Sequence, residues 1–109
     1  MIYELRVYRA LPGRMPALLK RFETRTLKIW DRMGIRQLGF WTTLIGPAAY
    51  RLTYLLAWDN LADREKKWDA FQADPAWISA RAASEADGGP ILANIESQLL
   101  TPTAFSKLK

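Results

Sequence analysis

The chain contains no cysteine and no histidine. Disulfides, a thiolate nucleophile, a Cys/His zinc site and a Ser-His-Asp triad are therefore excluded. Any acid–base chemistry must use Asp, Glu, Tyr, Lys or a bound cofactor. The residues call for no metal and no cofactor. No run approaches the roughly 18 apolar residues of a membrane span. The opening MIYELRVYRA carries charges where a signal peptide needs a hydrophobic run, so a cytoplasmic protein is expected. Internal repeats, low-complexity segments and domain linkers are also missing.

What is present suits a small globular unit. The 109 residues are half hydrophobic, which predicts one domain spanning residues 1–109. A chain this short buries only about two-thirds of its unfolded surface, so a homodimer would add useful burial. The net charge is +5, but Lys and Arg are scattered along helical stretches, apart from the closing SKLK. That pattern reads as solvated helix surface rather than a binding footprint.

The segment IYELRVYR alternates and reads as a strand, followed by a turn at Leu11 to Gly13. A helix is expected from about Arg14 to Met33. Its apolar stripe is Met15, Leu18, Leu19, Phe22, Ile29, Trp30 and Met33. Pro16 suits its first turn, and Gly34 the position past its end. Two strands follow, roughly Ile35 to Ile45 and Tyr50 to Trp58, joined by GPAA as a hairpin. Asp59 or Asn60 can cap a helix from Leu61, with Leu61, Trp68 and Phe71 toward the core. Asp74-Pro75 caps and starts another helix to about Ala86, and ILANIESQLL is a last strand. This order is the split βαβ, ferredoxin-like plan: an α+β fold with an antiparallel four-stranded sheet and helices on one face.

The stretch GFWTTLIGPAAYRLTYLLAW concentrates aromatic residues in the hairpin. If Ile45 faces Tyr50, Trp41 faces Tyr54, Thr43 faces Leu52 and Gly39 faces Leu56. Phe40, Thr53, Leu55 and Ala57 then form the layer that packs on the helices. In the first strand, Tyr3, Leu5 and Val7 are expected to face the helices. In the last, Ala93, Ile95 and Leu99 do so. The other face of the sheet would hold Glu4, Arg6, Tyr8, Trp41, Thr43, Tyr54, Asn94, Glu96 and Gln98. A one-residue slip of register would change this pairing.

Four uses of that mixed face compete. Solvation alone would leave large aromatics wet. Sheet-to-sheet packing in a homodimer would need Glu4 and Arg6 to pair with each other. A dimer with a small-molecule pocket fits apolar walls with a few polar groups. An RNA platform would need a basic-glycine-aromatic run on the third strand. That strand, YRLTYLLAW, has no glycine, which argues against nucleic acid. The pocket reading makes Glu4, Arg6, Tyr8, Trp41, Thr43, Tyr54, Asn94 and Glu96 its candidate lining.

Five segments in order (MIYELRVYRALPGRMPALLKRFE, GFWTTLIGP, AWDNLADRE, ADPAW and TPTAFS) resemble the NIPSNAP family over nearly the whole chain. The resemblance implies a ferredoxin-like dimeric α/β-barrel, in which two open sheet faces close on each other. It implies little about chemistry, because members are of unsettled biochemical function. Relatives of the barrel type include cofactor-independent monooxygenases, an analogy of fold alone. Two positions depart from the family pattern. Tyr54 stands where many members have histidine, and Leu44 where many have glutamate.

The expected function is a homodimer that binds a small aromatic or anionic molecule between sheet and helices. An enzyme acting on a phenolic substrate is one alternative. It would use Tyr54 as acid or donor, Glu4 or Glu96 as base and Arg6 as oxyanion holder. A non-catalytic interaction dimer without a ligand is the other.

Overall fold

The computed structural model describes all of residues 1–109. Strand β1 (Ile2–Ala10) leads into α1 (Met15–Arg21), a π-helical turn (Phe22–Thr26) and α2 (Leu27–Met33). Strands β2 (Arg36–Thr42) and β3 (Arg51–Trp58) follow, then α3 (Leu61–Ala73), α4 (Pro75–Glu85) and β4 (Leu92–Leu100). The sheet order is β2-β3-β1-β4, with every pair antiparallel. This is the ferredoxin-like α+β plan expected from the element order.

The helix boundaries obey local chemistry. Asn60 caps α3, its side chain accepting from the Asp63 N–H at 2.8 Å. Asp74 caps α4, accepting from Ala76 N–H at 2.9 Å, with Pro75 in the first turn. Gly34 ends α2 at φ 75°, the left-handed conformation that glycine adopts without a Cβ penalty. The long first helix is not uniformly α. At Phe22–Thr26 it widens, and Leu27 N–H reaches Phe22 C=O, five residues back. The apolar stripe is interrupted at this same place, between Phe22 and Ile29.

The hairpin differs from the sequence-based expectation. Strand β2 stops at Thr42, so Thr43, Leu44 and Ile45 lie in the connecting loop. Leu44 and Ile45 are almost wholly exposed, at 94% and 93%. Register is one residue from that expected: Phe40 pairs with Tyr54 and Trp41 with Thr53. A bulge between Gln37 and Gly39 accommodates the shift. Leu61, expected in the core, sits in the first turn of α3 and is exposed.

The slip reverses the faces of β3. Leu52, Tyr54, Leu56 and Trp58 are buried under the helices in one cluster with Leu18, Phe22, Trp30 and Phe71. In β1 the sides are also the reverse of those expected. Glu4, Arg6 and Tyr8 face the helices, as contacts to Arg64 and Trp68 of α3 and to Phe22 show. Alternation puts Tyr3, Leu5, Val7, Thr53, Leu55 and Trp41 on the opposite, open face. In β4 the expected parity of Ile95 and Leu99 holds. They pair with Tyr8 and Glu4, while Glu96 and Gln98 pair with Val7 and Leu5. The helix-packed layer thus holds the main core together with Glu4 and Arg6, while the open face carries Leu5, Val7 and Leu55 beside Glu96 and Gln98.

Candidate functional site

The helix-packed side of β1 is built around one carboxylate. Glu4 is 0% exposed. Its Oε1 accepts from Arg64 Nε at 2.8 Å and Trp58 Nε1 at 3.1 Å. Its Oε2 accepts from Arg6 Nη1 at 2.9 Å, from Arg64 Nη2 at 3.1 Å and from Ser97 Oγ. Burial pushes the Glu4 pKa up, but the hydrogen bonds from Arg64, Ser97 and Arg6 outweigh it and bring it down to about 2. The carboxylate is therefore ionised and fully engaged. It is an anchor and has no lone pair left to act as a base.

Arg6 extends the anchor toward two phenols. Its Nε donates to Tyr54 Oη at 2.7 Å and its Nη2 to Tyr8 Oη at 3.3 Å. The guanidinium lies 4.5 Å from the centre of the Trp68 ring, a cation–π contact. Burial pulls the Arg6 pKa down, yet Tyr8, Tyr54 and Glu4 together hold it above its ordinary value. Tyr54 Oη lies 2.9 Å from Tyr8 Oη. Burial, with Tyr8 beside it, pushes the Tyr54 pKa up, so Tyr54 is a neutral phenol.

Beside this network is a cavity of about 620 Å³ between the sheet and the helices. That is the size range of small-molecule sites, about 300–1,000 Å³. Tyr8, Phe22, Trp30, Phe71 and Trp77 give it aromatic walls. Arg21, Arg81, Glu85, Gln72 and Asn94 supply polar groups. Rings in the wall meet edge to face: Phe22 and Trp30 at 5.6 Å, Trp30 and Phe71 at 5.7 Å. Arg21, the last residue of α1, and Thr26, the last of the π-helical turn, both lie on this wall. Such turns occur often at functional sites.

Two groups of this wall lack partners. Arg21 is 5% exposed and Trp30 is 1% exposed. Arg21 Nε and Trp30 Nε1 are buried donors without an acceptor. Arg21 donates through Nη1 to Ser84 Oγ at 3.3 Å and lies 5.1 Å from the Trp77 ring centre, but no carboxylate pairs with it. Burial pulls its pKa below the ordinary arginine value. A buried donor left unpaired costs about 1–3 kcal/mol, more when it is charged.

The eight sequence candidates therefore divide. Glu4, Arg6 and Tyr54 form the network behind the cavity, on the helix side rather than the open face where parity placed them. Tyr8 and Asn94 line the cavity. Trp41 is on the open face, 55% exposed; Glu96 pairs there with Val7; Thr43 is in the hairpin loop. Arg21, Trp30, Phe71 and Trp77 were not singled out as site residues. The break in the helix stripe between Phe22 and Ile29 was the signal available for Arg21.

The fold and the cavity define a ferredoxin-like α+β protein with an aromatic pocket on its helix side. The chain belongs to the NIPSNAP family, whose model matches residues 3–107. It is 30% identical to a NIPSNAP family protein of unknown function from Agrobacterium tumefaciens, covering 100% of this chain and 94% of that one with TM-score 0.84. A second NIPSNAP family protein from A. tumefaciens is 25% identical, with 99% and 98% covered and TM-score 0.86. A Nitrosomonas europaea protein named for antibiotic biosynthesis monooxygenases shares the fold alone, at 9% identity, 94% and 98% coverage and TM-score 0.65. No curated protein matches the chain. No helix is long and apolar enough to cross a membrane.

Proposed function

We propose that this NIPSNAP protein is a cytoplasmic homodimer that binds a small, flat molecule bearing an anionic or acceptor group in the cavity between sheet and helices. One observation carries the ligand reading: buried Arg21 Nε and Trp30 Nε1 both belong to the cavity wall and neither has an acceptor. A ligand oxygen would relieve either donor on a small turn of its side chain toward the cavity. The five aromatic side chains of the wall suit a ring or conjugated frame. Hydrogen bonds to a charged group contribute about 1.5–3 kcal/mol each, so Arg21 alone is worth roughly tenfold or more in affinity.

Calorimetry and thermal shift with benzoate and with benzamide test the reading. Benzoate should raise the melting temperature saturably, and benzamide should do so less. Arg21→Gln should weaken benzoate by roughly tenfold or more. Failure of every aromatic acid to bind would refute it.

The dimer reading is supported by the open face. Leu5, Val7, Thr53 and Leu55 are only half-buried there, and Trp41 is exposed. A contiguous apolar face of this kind marks a contact surface. Sedimentation should give twice the chain mass, and Leu55→Asp should give the monomer. A wild-type monomer at micromolar concentration would overturn it.

A further inference from the structure

The hydrogen-bond order at the two phenols can be worked out from the donors alone. Tyr54 is 0% exposed. Its oxygen accepts from Arg6 Nε at 2.7 Å, and arginine has no lone pair to offer in return. The acceptor within reach of the Tyr54 proton is Tyr8 Oη, at 2.9 Å. Tyr8 Oη also receives Arg6 Nη2 at 3.3 Å. Both lone pairs of Tyr8 Oη are then occupied, and its own proton has no partner in the network. The opposite order would strand the Tyr54 proton in a fully buried position, at a cost of about 1–3 kcal/mol. Tyr8 is therefore a donor, and it lines the cavity.

Tyr8, Arg21 and Trp30 thus line one aromatic-walled space; buried Arg21 Nε and Trp30 Nε1 have no acceptor, nor, in this donor order, does the Tyr8 proton. We infer that the cavity takes its ligand as a conjugated oxyanion, a phenolate or enolate, with the Tyr8 hydroxyl donating to that oxygen. This deepens the proposed ligand binding and rests on it. Glu4 and Arg6 serve as positioning residues: the carboxylate fixes Arg6, and Arg6 with Tyr54 fixes the direction of the Tyr8 proton. The charge balance around the space agrees. Arg21 and Arg81 face it with Glu85 as the opposing charge, while Arg6, Glu4 and Arg64 lie behind Tyr8 as a mutually paired set. The only chemical change is loss of the ligand's proton to water on binding.

The probe is 4-nitrophenol, whose phenolate absorbs visible light and whose phenol does not. It is titrated with wild-type protein just below its solution pKa, and binding is followed separately by calorimetry. The bound probe should show the phenolate band, corresponding to about tenfold preference for the anion and a pKa lowered by about one unit. Tyr8→Phe should bind the probe with a smaller preference, the share left to Arg21. Asn60→Ala, which alters only the α3 cap, should retain the wild-type preference. A probe that binds wild type as the neutral phenol, or a Tyr8→Phe variant that still binds phenolate as wild type does, overturns the inference while leaving the cavity a binding site. Failure of both 4-nitrophenol and benzoate to bind overturns the inference together with the reading beneath it.

Discussion

Replacing Glu4 by glutamine tests the network that underlies the site. The carboxylate is completely buried and accepts hydrogen bonds from Arg6, Arg64, Trp58 and Ser97. The Glu4→Gln side chain has the same shape, but its NH₂ meets two guanidinium groups. Arg6, only 8% exposed at its side chain, is left without its anion. Two routes give the magnitude. The fall of the Glu4 pKa from 4.5 to about 2 corresponds to about 3 kcal/mol of linkage. Removing one partner of a buried ion pair costs about 3–5 kcal/mol. The routes agree on roughly 3 kcal/mol, equivalent to a melting temperature lower by about 12 °C or more in a domain of this size.

The pH dependence separates this account from a simple packing defect. The folded-state pKa is depressed, so the stability from Glu4 is fully present above the unfolded value of 4.5. It is lost as pH falls from there toward about 2. Urea unfolding followed by circular dichroism at pH 7, 5 and 3 should show wild type and variant converging at the acid end. A loss under about 1 kcal/mol at pH 7, or a gap that stays constant down to pH 3, would refute the reasoning.

Three further outcomes follow from the structure. Arg21→Met removes a buried cation that no carboxylate pairs; the variant should be as stable as wild type or more so, by up to about 1 kcal/mol, while losing the benzoate-induced thermal shift. Asn60→Ala removes the cap of α3 and should lower stability by about 1 kcal/mol in chemical denaturation without altering ligand affinity. Gly34→Ala forces a side chain to φ 75° with only the Lys67 side chain nearby at 3.8 Å, so the loss of about 1–2 kcal/mol should come from backbone strain and be matched by Gly34→Ser.

The element order was legible from sequence because each signal is local. Alternation marked β1, Gly34 marked the end of α2, and Asp74-Pro75 marked the start of α4. The faces of β1 and β3 were not legible, for two physical reasons. The hairpin register depends on the bulge after Gln37 and on the length of the 43–50 loop, and a one-residue slip exchanges every side chain of β3. In β1, alternation of apolar and charged residues alone put Glu4 and Arg6 away from the helices. Arg64, sixty residues away, completes the neutralisation of Glu4, and periodicity carries no sign of that pairing. Family resemblance carried the fold and implied little about the site; Trp30 was read as part of the core stripe, and Arg21 fell among the charges read as solvated helix surface.

The inverted faces bear on what the molecule is selected for. In β1 a lone domain would minimise its free energy with Tyr3, Leu5 and Val7 against the helices and Glu4 and Arg6 in water. Here Glu4 and Arg6 are inside, satisfied together with Arg64, and Leu5 and Val7 are on the open face, whereas β3 sends Leu52, Leu56 and Trp58 inward. The arrangement is consistent with two demands: an open face that seeks a partner surface, and an interior that must hold oriented polar groups beside a cavity. The groups left unsatisfied sharpen the second demand. Glu4 is satisfied by five hydrogen bonds, whereas buried Arg21 Nε and Trp30 Nε1 have none. Folding alone gives no reason to bury a guanidinium without a counter-ion, because a methionine of similar volume would pack as well at lower cost. A ligand oxyanion gives that reason, which is why the Arg21→Met variant should gain stability and lose binding together.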